Sequence, residues 1–338
     1  GGERGSCPPG APVRAAGAGR GMTPSVAGRR WSVVVRALRC AAQREEQALN
    51  IGMVGYGMMG VWHTEALAGT GAVPYAVTGR RVAAARDFAA RYGYARVHAW
   101  LAEMLADPAV DAVVLASPSE HHEAQAVACL EAGTPLLLEI PIALDLAGAE
   151  RVVAAGEASG VVWGMCHPMR HRVEREPLVA DIGAGRHRVR HVAGRFFLRR
   201  LVNQGVTGYR RSWTDNLLWH HFGHFVDLGL WLTGAPVRRV QSHYGPLDGR
   251  TGIPMDAVVL IETEAEQTVL VHGSYLAHFR LYDTLVVSER ESWFEDIPAA
   301  TVRTGDGVQA IESEQANCAR ATRDFVAAVR EGRAPRTT

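Results

Sequence analysis

The sequence predicts an α/β protein: an N-terminal doubly wound parallel sheet of the Rossmann type, then an α+β domain on an open, mostly antiparallel sheet. Three observations predict it. From residue 50 onward short apolar runs alternate with segments of helical spacing. A Gly-x-Gly-x-x-Gly loop separates the first such run from the first such helix. After residue 168 extended segments follow one another across short polar turns. The 338 residues, 47% apolar and 21% charged, suffice for two cores and exclude wholesale disorder or a coiled coil.

Residues 1–48 are rich in Gly, Ala, Arg and Pro without a sustained period, and are expected to be a disordered extension or an upstream translation artefact. An export signal is the rival reading, because Arg29-Arg30 precede the apolar stretch 31–35. Arg36 and Arg39 interrupt it before it reaches the roughly 7–15 apolar residues a signal needs. Residues 49–168 form the expected dinucleotide-binding domain, with strands at 51–54, 73–78, 112–116, 136–139 and 161–165 and helices at 58–67, 80–92 and 121–131. Residues 169–338 form the expected substrate-binding and oligomerisation domain. Its strands are expected at 188–197, 237–244, 257–263, 268–275 and 282–288, with a long helix near 213–232 and another near 317–330.

All 36 cationic side chains are arginine, and the absence of lysine excludes P-loop, pyridoxal and Tyr-x-x-x-Lys dehydrogenase chemistry. Residues 1–50 carry eight arginines against three acids, so the rest has an acidic excess unsuited to nucleic acid. Cys7, Cys40, Cys129, Cys166 and Cys318 are scattered without a Cys-x-x-Cys, which favours a reducing compartment over a disulfide framework or a cysteine zinc site. No apolar run reaches the roughly 18–20 residues that span a bilayer. A cytoplasmic protein without membrane or nucleic-acid partners is expected.

Gly55, Gly57 and Gly60 stand between a predicted strand and helix, where glycines serve the tight turn, the pyrophosphate approach and close helix–strand packing. Taken alone the motif is weak, since a structural glycine turn has the same spacing; here it opens a βαβαβ series. About 20 residues on, where NAD sites place an acid for the ribose 2′-hydroxyl, the chain has Val77-Thr78-Gly79-Arg80-Arg81. A hydroxyl and two guanidiniums suit a 2′-phosphate, so NADP is expected, with NAD the alternative.

In the segment 211–227, Ser212 and Asp215 have the pattern of a helix start. Asn216, His220, His224 and Asp227 then recur at helical spacing on one otherwise apolar helix, a polar stripe suited to proton transfer. Metal ligation by His220 and His224 is a weaker reading, because His221 replaces the glutamate of His-Glu-x-x-His, and satisfied core histidines are another. No metal is expected. Turnover is expected to rise with pH through a histidine-like ionisation.

Together Gly55–Gly60, Ser117-Pro118-Ser119-x-x-His122, Glu139-Ile140-Pro141 and His224-x-x-Asp227 resemble the Gfo/Idh/MocA oxidoreductases over residues 50–338. That resemblance implies a nicotinamide cofactor and an open sheet that pairs subunits, hence a homodimer or homotetramer. It implies cofactor contacts from Gly55, Gly57, Met58, Met59, Gly60, Thr78, Arg80, Arg81, Ser117, Pro118, His122, Glu139, Ile140 and Trp213. The family's catalytic set is a lysine, an aspartate and a histidine four residues later. Here Ile140 stands at the lysine position and His220 at the aspartate position, while His224 is retained. With Phe196-Phe197-x-Arg199-Arg200 and the segments 211–215 and 217–221, these departures look like a subgroup from aromatic catabolism that oxidises a carboxylated cyclic hemiacetal to a lactone with NADP. His220 and His224 are then the expected catalytic pair. Arg170, Arg199, Arg200, Arg211, Trp219 and Asp227 are the expected contacts of an anionic small-molecule substrate, with solvated surface arginines the duller alternative. A sugar or polyol dehydrogenase, a biosynthetic reductase and a non-catalytic NADP-binding sensor are the other readings. Relatives usually continue for another helix, so a C-terminally shortened copy is expected.

Overall fold

The computed structural model describes residues 48–205, 208–213 and 216–338. All but the last residue of the expected 1–48 extension lies outside the described residues, and so does Asp215.

The first sheet is built from β1 (Leu49–Val54), β2 (Ala72–Thr78), β3 (Arg96–Val97), β4 (Ala112–Leu115), β5 (Leu136–Glu139) and β6 (Trp163–Cys166). All its pairs are parallel, in the order β3-β2-β1-β4-β5-β6. The order reverses between β1 and β4, which opens a ligand crevice at their carboxyl ends. β4 and β5 are short apolar runs buried along their whole length, as a parallel sheet covered on both faces requires. The connecting helices are α1 (Met58–Ala66), α2 (Val82–Tyr92), α3 (Leu101–Leu105), α4 (His122–Glu131) and α5 (Leu146–Ser159). The two-residue β3 and five-residue α3 are too short to show a period. The longer α5 was signalled at its ends, by Asp145 accepting from the Gly148 amide at 2.7 Å and by left-handed Gly160.

The second sheet has eight strands: β7 (Val189–Arg199), β8 (Val237–Tyr244), β9 (Asp256–Thr263), β10 (Thr268–Ser274), β11 (Leu276–Ser288), β12 (Ser292–Asp296), β13 (Thr301–Thr304) and β14 (Gly307–Ala310). Their order is β14-β13-β12-β11-β7-β10-β9-β8, and only the β7–β10 pair is parallel. Three short strands thus extend the sheet beyond those expected. After the short helix α6 (Glu176–Gly183), a π-helical turn (Leu218–Phe222) leads into α7 (Gly223–Thr233), which packs on one face. Gly194 and Gly229 permit that approach, since a Cβ would stand 2.3 Å from the Phe225 ring at the first and 2.4 Å from Val269 at the second.

Two expectations are corrected here. The helix expected from residue 213 starts only at Leu217, where the Asn216 carboxamide caps it by accepting from the Leu218 amide at 2.9 Å. The last helix, α8 (Glu314–Glu331), packs on the first sheet although its residues were assigned to the second domain. Its apolar stripe of Cys318, Ala321, Phe325 and Val326 joins the core formed by Ile51, Val77 and Leu137.

Candidate active site

The loop after β1 has the geometry of a dinucleotide cradle. Gly55 has φ of +105°, and its amide donates to the Thr78 carbonyl at 2.9 Å; a Cβ there would sit 2.4 Å from the Ala116 carbonyl oxygen. A Cβ on Gly60 would sit 2.5 Å from the Gly55 carbonyl oxygen, so this glycine sets the distance between helix and strand. Gly57 differs: nothing lies within 4 Å of the position its Cβ would take. The backbone is open there, and no side chain caps α1, so its first amides are available to a phosphate. Met58 is exposed and Met59 packs into the core beside the loop. These features fit a pyrophosphate.

At the end of β2, Thr78 is buried while Arg80 and Arg81 are exposed. The Tyr56 hydroxyl accepts from the Arg81 amide at 3.0 Å, and the Arg80 guanidinium lies 4.8 Å from the Tyr209 ring centre. Ser117 donates to Gln125 at 2.6 Å, and Pro118 precedes the turn into α4. His122 is buried with Nδ1 2.7 Å from the Pro141 carbonyl and Nε2 2.8 Å from the Ser117 carbonyl, fastening the loops after β4 and β5 together. Ile140, half-buried beside Pro141, brings no titratable group to the lysine position.

Glu139 ends β5 and is buried against His63 of α1, whose Nε2 donates to it at 2.8 Å. His63 Nδ1 donates to the Thr322 hydroxyl at 2.8 Å, and that hydroxyl donates onward to the Cys318 carbonyl at 3.0 Å. With the hydroxyl proton turned to that carbonyl, both ring nitrogens donate, the arrangement of an imidazolium. Burial alone would lower its pKa, but the negative charge of Cys318 and hydrogen bonds to Cys318 and Glu139 raise it to about 10. Burial would likewise raise Glu139, yet His63 holds it below the usual range as a carboxylate. His63 escaped sequence reasoning, although a histidine three residues after Gly60 inside an apolar helix was its signal.

Across the crevice stand the histidines of the π-turn and α7. The His224 ring lies edge-on to His167, with centres 6.1 Å apart. Burial first, then the cost of a second charge next to His167, whose own pKa burial lowers, push the His224 pKa down to about 3 against the pull of Glu139 and Asp227. The ring is therefore neutral near pH 7, and its buried Nδ1 has no partner among the described residues. This corrects the expected ionisation near the ordinary histidine value. His167, also missed, follows directly on β6 at the carboxyl end of the first sheet, where ligand-facing groups belong. Asp227 faces His167 Nδ1 at 3.5 Å and is gripped by Arg170 through two bonds of 2.8 and 2.5 Å. Arg170 is thereby committed to holding Asp227.

The remaining arginines divide between the two faces of the second sheet. Arg200 and Arg211 lie on the histidine side, where both bear on the charge of His221. Arg211 approaches the His220 ring to 3.2 Å, and Arg200 lies over Tyr275 with a buried Nη1 that has no hydrogen-bond partner among the described residues. Arg199 is exposed beside His278 at 3.3 Å on the opposite face and does not join them. His221, stacked on Phe196 at 3.6 Å and held neutral by burial, supports the turn. Trp213 packs toward Tyr275, and Trp219 is half-buried within the π-turn. Asn216 serves as helix cap and leaves the polar stripe to His220, His224 and Asp227.

Residues 49–167 match the model of an oxidoreductase family with an NAD-binding Rossmann fold, Gfo/Idh/MocA, and residues 176–278 match the C-terminal domain of bacterial oxidoreductases. The chain belongs to the Gfo/Idh/MocA family of oxidoreductases. Among its relatives is the 4-carboxy-2-hydroxymuconate-6-semialdehyde dehydrogenase of Sphingobium sp., 29% identical over 86% of this chain and 93% of that one. Inositol 2-dehydrogenase 2 of Saccharopolyspora erythraea is 32% identical over 66% of this chain and 65% of that one. Among solved structures, GenD2 from gentamicin A biosynthesis in complex with NAD superposes with a TM-score of 0.69 at 26% identity, over 86% of this chain and 89% of that one. Levoglucosan dehydrogenase in complex with NADH and L-sorbose has the same fold, with a TM-score of 0.73 at 17% identity over 86% and 91%. No helix among the described residues is long and apolar enough to cross a membrane.

Proposed function

We propose that this Gfo/Idh/MocA enzyme uses NADP to oxidise a carboxylated cyclic hemiacetal, of the kind formed by 4-carboxy-2-hydroxymuconate-6-semialdehyde, to a lactone. One observation carries the reading: a neutral histidine with an unpartnered nitrogen, His224, stands in a crevice with Glu139 on one side and two arginines by the neighbouring histidines, Arg211 against His220 and Arg200 near His221. The Sphingobium relative, similar over nearly its full length, supports the substrate class.

Bound NADP supplies the acceptor for hydride. The chain's own residues do the rest. Gly57 and the first turn of α1 hold the pyrophosphate, and Arg80 and Arg81 pair with the 2′-phosphate. Glu139, fixed as a carboxylate by His63, accepts hydroxyl protons from a ribose. Arg200 and Arg211 neutralise the substrate's carboxylates and orient its ring. His224 takes the hemiacetal proton as the adjacent carbon loses hydride, with His220 the alternative acceptor. The negative charge of substrate carboxylates favours the protonated ring and so raises the proton affinity of His224 on binding. Inositol dehydrogenase relatives favour a second reading, polyol oxidation on the same scaffold, in which the buried Arg200 Nη1 would have no carboxylate to hold. A steady-state assay of both substrate classes with both cofactors tests the choice.

The enzyme is also proposed to work as a homo-oligomer. Val258, Leu260, Leu270, Phe197 and Leu285 share the sheet face turned away from α7, and Val258 is 41% exposed.

A further inference from the structure

Behind Glu139, four buried side chains close a ring that the proposed chemistry uses only in part. Cys166 ends β6, and Cys318 lies on α8, which packs against that sheet. Their sulfurs stand 3.7 Å apart, and both residues are wholly buried. Cys318 Sγ lies 3.9 Å from His63 Nδ1 and accepts from the Cys166 thiol, which also bears on the charge of Glu139. The set was unexpected, since the five cysteines are scattered in sequence.

All four donor atoms lie within 4.8 Å of one another, which invites a metal. His63 argues against one: its two nitrogens are already engaged at 2.8 Å by Thr322 and Glu139, and a metal would have to break one of these bonds. What remains is chemistry between the sulfurs. The Cys166 hydrogen bond and the adjacent His63 cation lower the Cys318 pKa, favouring its thiolate, the reactive form. Only Glu139 opens the ring to solvent, with 10% of its side chain exposed, a way in for an oxidant little larger than water.

We propose that Cys166 and Cys318 are a peroxide-oxidisable dithiol that closes reversibly to a disulfide linking β6 to α8. The Cys318 thiolate attacks hydrogen peroxide, forming an S–O bond as the O–O bond breaks and hydroxide leaves. Cys166 then gives up its proton and attacks the sulfenic sulfur, forming the S–S bond as the S–O bond breaks and a second hydroxide leaves. Two thiols and one peroxide thus become one disulfide and two waters. Disulfide bonding requires about 2.05 Å between sulfurs, so each must approach by roughly 1 Å, within the reach of side-chain rotation.

Cys129 is the internal control. It is equally buried, on the other face of the sheet, and burial pushes its thiol up to about 12. The full chain is treated with hydrogen peroxide, alkylated under denaturing conditions, digested and weighed without reduction. The expected product is a peptide joining Cys166 to Cys318, lighter by two hydrogens and lost on adding dithiothreitol, with Cys129 alkylated throughout. In Cys166→Ser the link is absent, and Cys318 is trapped as its sulfenic acid by dimedone. Alkylation of both cysteines, a link to Cys7 or Cys40 instead, or oxidation of Cys129 at the same rate would overturn the proposal. So would stoichiometric zinc retained by the untreated chain and blocking the link, since the ring would then be a metal site.

Discussion

At His224, the burial that costs the ring its ordinary proton affinity also leaves it permanently neutral. A histidine base must be unprotonated to act, and with its pKa lowered to about 3 the base form persists through the whole mildly acidic range. Turnover should therefore show no histidine-like fall near pH 6.5, the value of an unperturbed ring, when measured from neutral pH toward acid. His224→Asn should lower the turnover number by about 10²–10⁴ with little change in cofactor affinity, and its effect should be non-additive with His220→Asn if the two act as a unit. At the other end of the crevice, Arg80→Ala with Arg81→Ala should narrow the NADP-over-NAD preference by about 1–3 kcal/mol, read by titration of each dinucleotide. Unchanged preference in the double variant would remove these arginines from the site. The residue types were legible in the sequence, but their partners were not. Arg170 has the same chemistry as Arg200, and only the fold reveals that Asp227 already occupies it.

The glycine loop separates structural from functional glycines within one element. Gly57→Ala meets no atom within 4 Å and keeps an ordinary backbone conformation, with φ of −79°. Its melting temperature should match the parent while dinucleotide affinity falls, because the methyl group fills the space the pyrophosphate needs. Gly60→Ala forces a Cβ against the Gly55 carbonyl and should cost about 1–3 kcal/mol of stability in denaturant titration. Equal effects on both properties in both variants would contradict this division. Element by element, the buried strands β1, β2, β4 and β5 announced themselves by apolar runs. The two-residue β3, the strands β12 to β14 and the π-turn did not, because they are too short to display a period and carry no apolar run. Asn216 caps the turn through its own side chain, a role that ideal helical spacing cannot anticipate.

For the molecule as a whole, the motif order was legible and the chain's return was not. Nothing in the stripe of α8 says which sheet it covers, and its packing on the first sheet brings Thr322 and Cys318 to His63. The uncovered face of the second sheet supports the proposed self-association. Val258→Asp should place a charge in that interface and shift the sedimentation coefficient toward the monomer, whereas an unchanged coefficient would move the interface elsewhere. The central claim is that two arginines and a neutral histidine serve a carboxylated hemiacetal. Its most direct test is the steady-state reduction of NADP by the purified enzyme, with 4-carboxy-2-hydroxymuconate-6-semialdehyde and with myo-inositol in parallel. A higher kcat/KM for the semialdehyde, reduced in Arg200→Ala and Arg211→Ala mainly through KM, is the predicted result. Faster oxidation of inositol, with both arginine variants fully active, would contradict it.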